Sequence, residues 1–319
     1  MGKSALSRPY LHDEKAAYAF VESQLWADGR PCRHCGVLDE STALKGKSTR
    51  IGVYKCRACR KPFTVKVGTI FESSHIKLHI WLQAIFLLSS SKKGISSNQL
   101  SRSLGITLKS AWFLSHRIRE AMRDGSLSTL GGQGWVVEAD ETYIGKTSEK
   151  RTLSARGRPF TKGGNVGVGG KRAVVSLVER GGRVRSFHVD RADKATVAAI
   201  VTQNVARESR LHTDESRLYL GAAGHVASHE TVHHSRKEYA RGDVNTNTVE
   251  GYFSIFKRGM KGIYQHCGEK HLHRYLSEYD FRYNNRVALG ANDETRAVKA
   301  LKGVVGKRLT YQTVGGTNA

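Results

Sequence analysis

The sequence predicts an α/β fold, in which a mixed sheet and its helices follow a small metal ribbon and a helical module. From Trp135 onward, strand-like segments alternate with helical ones, as in a mixed α/β domain. Before that point lie two C-x-x-C pairs and two short helical patterns around a glycine. We therefore divide the chain into an N-terminal helix and ribbon at 1–75, a helical module at 76–125, an α/β core at 134–290 and a tail at 291–319.

Four of the five cysteines have the spacing of a structural zinc site. Cys32 and Cys35 form one C-x-x-C pair, Cys56 and Cys59 form another, and twenty residues separate the pairs. A tetrahedral zinc ion takes four such thiolates. The alternatives are four unrelated reduced thiols or an iron–sulfur cluster, because ligand type alone excludes neither. Paired spacing favours metal ligands in a reducing cytosol over disulfides, and leaves Cys267 as a plain thiol.

The residues after position 96 have the pattern of a helix-turn-helix. Leu100 and Leu104 would form the apolar face of the first helix, Gly105 would allow the turn, and Thr107 would cap the second helix. An ordinary helical hairpin is the alternative, because such apolar spacing is common. In the first case, the outward side chains of the second helix would enter a major groove: Lys109, Ser110, Phe113 and Arg117.

The α/β core is expected to contain short strands and amphipathic helices in alternation. The strands are predicted at 135–139, 172–178, 183–190, 210–213 and 231–234, and the helices at 192–206, 245–260 and 269–284. The second and third strands should form a hairpin over Gly181 and Gly182. The first and fourth strands would deliver one aspartate each to the same region of the fold.

Three acids in this core have a pattern typical of phosphoryl transfer. Asp140 and Asp214 each follow a predicted strand, and Glu250 lies on a predicted helix with Lys257 two turns later on the same face. Three such carboxylates can hold two Mg²⁺ (or Mn²⁺) ions roughly 4 Å apart for a displacement at phosphorus. Each acid alone could equally be a surface carboxylate. Together they indicate a metal-dependent enzyme acting on nucleic acid, with Lys257 beside the scissile phosphate.

The charge of the chain points to the same partner. Lys and Arg number 52 and Asp and Glu 28, which gives a net charge of +24 and suits a polyanion such as DNA or RNA. A solvated basic face or an anionic membrane surface are the alternatives, but the basic residues are spread over the whole chain. A basic, glycine-rich loop at 145–172 and the third-acid helix supply the candidate phosphate contacts: Arg156, Arg158, Lys171, Arg172 and Arg258.

No segment of the sequence has the pattern of a secretory signal or a membrane span. The first ten residues lack an apolar core, and the longest apolar stretch, at 80–88, is too short to cross a bilayer. The expected location is therefore the cytoplasm, with no membrane partner.

Two further motifs resemble metal or phosphate sites. H-E-x-x-H at 229–233 matches the zinc-peptidase pattern, which requires a helix, but its β-branched residues favour a strand that separates the two histidines by about 13 Å. The surrounding histidines at 225–234 could bind metal, although hydrogen-bonded or solvent-facing histidines are the preferred interpretation. The glycine-rich 163–170 segment lacks the G-x-x-x-x-G-K-[ST] pattern of a phosphate loop and fits a basic DNA-contacting loop.

Four strings taken together resemble a known family: V-E-A-D-E-T-Y-I-G, H-T-D-E-S, N-T-V-E-G-Y-F-S-I-F-K-R-G and F-R-Y-N-N-R. The chain is similar to bacterial insertion-sequence transposases of the DDE type, specifically the ISXO2-like group, whose core resembles RNase H and retroviral integrase. The resemblance implies that Asp140, Asp214 and Glu250 bind the ions. Members vary between Glu and Asn at the third position, which leaves Asn247 only a supporting role here.

The resemblance also implies the reaction and its partners. The protein would bind the terminal inverted repeats of an insertion sequence, cleave the ends and transfer the strands into target DNA. It would act as a homodimer or a higher multimer, associated with a bacterial nucleoid. Two alternatives remain open: an inactive DNA-binding regulator, and an RNase H-fold nuclease or Holliday-junction resolvase that cuts without joining.

Overall fold

The structure is a computed structural model that describes residues 4–125, 128–146 and 170–310. Arg156, Arg158 and the glycine-rich 163–169 stretch lie outside these residues. The chain divides into two compact units, one of Met1–Arg123 with Gly290–Ala319 and the other of Asp124–Leu289. Across the described ranges, no helix has both the length and the apolar character needed to cross a bilayer.

The first unit contains the ribbon and five helices. Its elements are α1 (Glu14–Leu25), β1 (Ser41–Ala43), β2 (Tyr54–Cys56), β3 (Pro62–Phe63), α2 (Leu78–Ser90), α3 (Ser97–Leu104), α4 (Leu108–Met122) and α8 (Asp293–Lys302). The three strands form an antiparallel sheet in the order β1-β2-β3. Helix α2 is the most apolar of the helices, and its Leu78, Trp81, Ile85 and Leu88 are buried.

Helix α8 belongs to a segment that the sequence analysis left as a tail. Asn292 caps this helix by accepting a hydrogen bond from Thr295 N–H, and Ala300 and Leu301 are buried. The helix contacts α1, α2 and α4, and Arg296 donates a hydrogen bond to the carbonyl of Ser89 at the end of α2. The end of the chain therefore completes the core of the first unit.

Helices α3 and α4 form the pair of packed helices that the sequence predicts after position 96, joined at Gly105. Ser96 and Thr107 cap the two helices, since their hydroxyls accept hydrogen bonds from Gln99 N–H and Ser110 N–H. Gly105 has φ +62° and ends α3 in the left-handed region, where glycine is favoured. The predicted inner faces are buried: Leu100, Leu104, Ala111, Leu114 and Ile118.

The second unit is built on a mixed five-stranded sheet in the order β6-β5-β4-β7-β8. Its elements are β4 (Val136–Ile144), β5 (Arg172–Glu179), β6 (Val184–Val189), α5 (Lys194–Asn204), β7 (Arg210–Asp214), β8 (Ser228–Val232), β9 (Ala240–Arg241), β10 (Val244–Asn245), α6 (Asn247–Gly259) and α7 (Leu272–Asn284). β4, β5 and β6 are antiparallel neighbours, whereas β7 runs parallel to β4 and β8 parallel to β7. This confirms the predicted mixed α/β core.

Helices cover both faces of this sheet, and the alternation of side chains along the strands decides which residues meet which helix. Val137 and Ala139 of β4 pack with α5 in one apolar cluster. Val174 and Val178 of β5 pack with α6 and α7 in the other cluster. Glu138 and Asp140 alternate with Val137 and Ala139, so they lie on the face that α6 covers.

Candidate active site

Two of the predicted acids lie side by side on neighbouring parallel strands. The pairing of Val136 with Arg210 and of Glu138 with His212 has a constant offset, and the same offset aligns Asp140 with Asp214. Neighbouring strands are about 4.8 Å apart, so the two carboxylates start from adjacent backbone positions. Asp214 ends β7 as predicted.

The prediction that Asp140 ends its strand is wrong. β4 continues to Ile144, because Glu141–Ile144 pair with Arg172–Val175 of β5 and extend the hairpin. Asp140 therefore lies in the middle of a paired strand, which fixes its backbone more firmly than a strand end would. Its Oδ1 accepts a hydrogen bond of 2.8 Å from Glu141 N–H.

The third acid, Glu250, lies in the first turn of α6. Its Oε1 accepts a hydrogen bond of 2.8 Å from the hydroxyl of Thr246, the residue that precedes the helix. The Nε2 atom of His234 lies 3.7 Å from the same oxygen. Glu215, next to Asp214, accepts hydrogen bonds from the backbone N–H groups of His234 and Ser235, which lower the pKa of Glu215 to about 2 and hold His234 in this place.

The two aspartates have raised pKa values, and the charge of Glu250 contributes to both shifts. Burial raises the pKa of Asp140 to about 8, and the charges of Glu141, Asp214 and Glu250 act in the same direction. Burial also raises the pKa of Asp214, as do the charges of Glu215 and Glu250. The hydrogen bond from the Ser216 N–H and the charge of His234 lower this pKa. A set of oxygen donors that repel one another in this way fits divalent cations, which would neutralise the repulsion.

Glu141 lies beside Asp140 in sequence, but its carboxylate has a different partner. Its Oε2 accepts a hydrogen bond of 2.8 Å from the hydroxyl of Tyr219, a fully buried side chain in the cluster under α5. Strand alternation thus directs Glu141 away from the α6 face and Asp140 towards it. Asp140 is accordingly the metal-ligand candidate of this pair.

The ribbon brings together the four predicted zinc ligands. The Sγ atoms of Cys32, Cys35, Cys56 and Cys59 all lie within 4.8 Å of one another. The distance from Cys32 to Cys59 is 3.6 Å and that from Cys35 to Cys56 is 3.7 Å. Tetrahedral zinc with Zn–S bonds of about 2.3 Å separates its sulfurs by roughly 3.8 Å, so the cluster fits one zinc ion.

The predicted base-reading face of α4 is only partly correct. Lys109 is exposed and Ser110 and Phe113 are half-buried, but Arg117 is 5% exposed. Its guanidinium stacks over Phe113 and donates to the carbonyls of Glu72 and Leu309, both at 3.0 Å. The expectation that Arg117 points outward is wrong, because the chain returns after α8 and covers this part of α4.

Four of the predicted phosphate contacts remain among the described residues. Lys257 and Arg258 lie on α6, and Lys171 and Arg172 lie at the beginning of β5. Lys257 lies half-buried on α6 with its Nζ atom 5.9 Å from the Phe253 ring, and Arg258 is exposed. Lys171 is exposed at the start of β5, whereas Arg172 donates hydrogen bonds to the carbonyls of Lys146 and Cys267. Arg172 therefore joins two loops, and its placement leaves Lys171 as the more accessible cation.

The H-E-x-x-H segment is a strand, as the sequence indicates. Ser228–Val232 form β8 at the edge of the sheet, and His229 hydrogen-bonds to the Thr213 hydroxyl at 2.9 Å. His233 follows the strand, so the two histidines do not share one helical face. The peptidase interpretation is thereby excluded.

Comparison with known proteins identifies the two units by family. Residues 129–284 match the ISXO2-like transposase domain, and residues 12–62 match the transposase zinc-ribbon domain. The chain thus contains an ISXO2-like transposase domain and a transposase zinc-ribbon domain. It is also 27% identical, over 282 residues, to an uncharacterized protein in transposable element ISH50 of Halobacterium salinarum, an alignment that covers 86% of this chain and 92% of that relative.

The matched regions agree with the geometry of the two domains. The transposase domain ends at the last residue of α7 and contains Asp140, Asp214 and Glu250. The zinc-ribbon domain contains all four clustered cysteines, which confirms the zinc-binding site. The two matched domains also support a nucleotidyl-transferase type of enzyme that binds DNA.

Sequence reasoning missed three residues around the transposase acids: Thr246, His234 and Glu138. Thr246 and Glu250 have the four-residue spacing of neighbours at a helix start, which is a usable local signal. His234 follows β8, and the turn after this strand brings it to Glu250, a contact that no local pattern indicates. Glu138 shares the strand face of Asp140, but its partners at the start of α6 lie about 110 residues away and no sequence pattern indicates them.

The raised pKa of Asp140 predicts a stability effect in the metal-free transposase. The pKa of Asp140 is about 8 in the folded state and about 4 in the unfolded state. Ionisation of this carboxyl therefore lowers the free energy of unfolding as the pH rises from about 4 to about 8. Asp140→Asn should therefore raise the melting temperature by several degrees at pH 8, and by less towards pH 5. Thermal scans without added Mg²⁺ measure this, and Mg²⁺ should then stabilise only the wild type. A lower melting temperature for the variant at pH 8 would contradict the expectation.

Proposed function

We propose that the protein is an active DDE transposase, which cleaves the ends of an insertion sequence and joins them to target DNA. The observation that carries the proposal is the convergence of Asp140, Asp214 and Glu250 from β4, β7 and α6 into one environment, where burial and neighbouring acidic charges raise the pKa values of both aspartates. Two Mg²⁺ (or Mn²⁺) ions held by these carboxylates would activate the attacking oxygen and stabilise the leaving one.

The protein's own groups would position DNA for this step. Strand pairing fixes Asp140, and the Thr246 hydroxyl fixes one oxygen of Glu250. Lys257 lies two helical turns beyond Glu250 on the same side of α6, where its ammonium can contact a phosphate near the scissile bond. Arg258 and Lys171 add exposed positive charge on either side.

A basic cavity of about 480 Å³ extends this surface away from the acids. It lies where β4 and α6 end, and its cationic side chains are Lys146, Arg172 and Lys261. Ile144, which lines it, is four residues beyond Asp140, or about 13 Å along the strand. We propose that the DNA backbone continues from the acids to this cavity, with contacts that weaken as salt increases.

The test of the function uses DNA carrying the inverted repeats that flank the gene. Purified protein, labelled repeat DNA, a target plasmid and Mg²⁺ should yield both cleaved ends and joined products. A nuclease or resolvase would give cleaved DNA without joined product, and an inactive regulator would bind the repeats and do neither. Size-exclusion chromatography of the DNA complex checks the further proposal that a dimer or higher multimer holds the two ends.

Lys257→Ala should impair the chemical step while leaving end binding intact. The ammonium is proposed to contact a phosphate at the reacting strand, so its loss should slow strand transfer by roughly tenfold or more at unchanged gel-shift affinity. Arg258→Ala is the matched control, since it removes one charge from the next position of α6 and should change only the salt-dependent affinity. Normal joining by the Lys257 variant would reduce this lysine to a solvated charge.

Lys109 and Arg117 should behave differently despite lying on the same helix. Lys109→Ala removes an exposed side chain, so we expect a weaker preference for repeat over random DNA with little change in stability. Arg117→Ala removes hydrogen bonds to two backbone carbonyls and should cost about 2 kcal/mol of stability. Competition gel shifts and urea unfolding measure the two effects. If the Arg117 variant were as stable as the wild type but lost its preference for repeat DNA, the result would support a base contact by Arg117.

A further inference from the structure

Helix α6 begins without the usual cap from the residue that precedes it. The first N–H groups of a helix have no intrahelical partner, and a Ser, Thr, Asp or Asn side chain just before the helix commonly accepts from them. Thr246 occupies that position, yet its side chain accepts no such hydrogen bond. The N–H groups of Thr248 and Val249 instead donate to Glu138 Oε2 on β4, at 2.7 and 3.0 Å. The Thr248 hydroxyl donates to Glu138 Oε1 at 2.8 Å.

The Thr246 hydroxyl has a different task. It donates a hydrogen bond of 2.8 Å to Glu250 Oε1, one turn later. With the N–H groups of Thr248 and Val249 bound by Glu138, the Thr246 side chain is oriented towards Glu250 and not towards the helix start. Capping by Glu138 and orientation of Glu250 by Thr246 are therefore two parts of one arrangement.

Arg180 fixes Glu138 and the segment before α6 at the same time. Its Nε and Nη2 atoms donate to Glu138 Oε1 at 2.9 and 2.8 Å. Its Nη1 donates to the carbonyl of Asp243 at 2.8 Å and its Nη2 to that of Asn245 at 3.2 Å. The Glu138 side chain is 0% exposed. A buried ion pair is a poor source of stability, because apolar side chains of similar volume often stabilise a fold equally well.

We propose that Glu138 is a positioning residue for the third acid of the site. By capping α6 in place of Thr246, it leaves the Thr246 hydroxyl to hold Glu250 in the orientation that binds a divalent cation. This inference rests on the proposed function. It adds that hydrogen bonds connect Glu138 on β4, through the start of α6 and Thr246, to the orientation of Glu250. Glu138 itself contacts neither DNA nor the ion in this arrangement.

The first test is the Mn²⁺ affinity of Glu138→Gln, measured by isothermal titration calorimetry on the zinc-loaded protein. The amide keeps the shape of the side chain, but its NH₂ group would face the N–H donors of α6. The Thr246 hydroxyl should then turn to cap the helix and release Glu250. We expect Mn²⁺ to bind about tenfold more weakly, as is typical when a partner of a metal ligand is lost, and repeat-DNA affinity in gel shifts to stay unchanged.

Glu278→Gln is the matched control in the same unit. Glu278 is also fully buried and paired with an arginine, Arg282, but it lies on α7 and hydrogen-bonds to Tyr264. This variant should lose thermal stability while keeping wild-type Mn²⁺ affinity. A loss of affinity in both variants would show that any damaged ion pair weakens the site, and would overturn the specific role of Glu138.

Thr246→Val tests the same chain of action without removing a buried charge, so it remains informative if Glu138→Gln fails to fold. It should keep the cap from Glu138 and lose the hydrogen bond to Glu250, with a similar loss of Mn²⁺ affinity. The double variant should be no weaker than the worse single variant, because both changes break one pathway. Additive losses, or wild-type affinity in Thr246→Val, would refute the proposal. If the wild type itself neither binds Mn²⁺ nor cleaves DNA, the proposed function fails instead.

Discussion

Asp140→Ala, Asp214→Ala and Glu250→Ala are each expected to abolish cleavage and joining. Each carboxylate is proposed to hold part of a two-ion centre, whose transition-state stabilisation is worth several kcal/mol. A loss of about 4 kcal/mol corresponds to roughly a thousandfold decrease in rate. Single-turnover assays on repeat DNA measure the loss, and gel shifts should show nearly unchanged binding of the ends.

Two neighbouring residues provide the controls for that series. Glu141→Gln should retain cleavage, because Glu141 hydrogen-bonds to buried Tyr219 and its carboxylate is directed away from the α6 face. Asn247→Ala should also retain it, since Asn247 is exposed at the start of α6 and only a supporting role is proposed for it. Activity in Glu250→Ala together with its loss in Asn247→Ala would show that the third ligand has been assigned to the wrong residue.

Cys56→Ser combined with Cys59→Ser should remove zinc and unfold the ribbon. The ribbon strands have only two or three residues each, so the metal supplies most of what holds them together. Elemental analysis should find about one zinc per chain in the wild type and none in the double variant. Hydrogen exchange should show that protection is lost across 32–63 and retained in β4 and β5.

The fifth cysteine offers the control for this experiment. Cys267 lies in the other unit, and its thiol contacts the carbonyl of Gly268. Cys267→Ser should therefore keep both the zinc and the protection of the ribbon. Zinc retained by the double variant, or lost from the Cys267 variant, would contradict the four-thiolate assignment.

The features that the sequence predicts correctly are those with a short-range pattern. Paired C-x-x-C spacing determines the zinc cluster, and the caps at Ser96 and Thr107 determine where α3 and α4 begin. Asp214 and Glu250 follow from strand and helix periodicity in the same way. In each case the relevant contacts lie within a few residues or within one repeated motif.

The errors and omissions concern contacts between distant parts of the chain. The pattern of two helices gives Arg117 an outward position. In the structure, however, its side chain donates a hydrogen bond to the carbonyl of Leu309, which lies 192 residues later in the sequence. Asp140 falls at the predicted strand end because the pairing of Glu141–Ile144 requires the second strand of the hairpin. Nothing in the sequence distinguishes Glu138 from the other acids of its motif, because its contact with the start of α6 involves a residue 110 positions away. Periodicity within one segment carries no information about such partners.

The position of α8 has a consequence for how the polypeptide is made. The first unit contains both ends of the described chain, and α2 packs against a helix that ends at Lys302. During translation, the segment Asp124–Leu289 is complete before the last helix of the first unit has left the ribosome. Since domains generally fold as units while they emerge, the α/β domain can fold first, with α2 still lacking its cover. The first unit can therefore complete its core only after the whole α/β domain has been made, so a message cut short after residue 289 would yield a folded α/β domain beside an incomplete helical one.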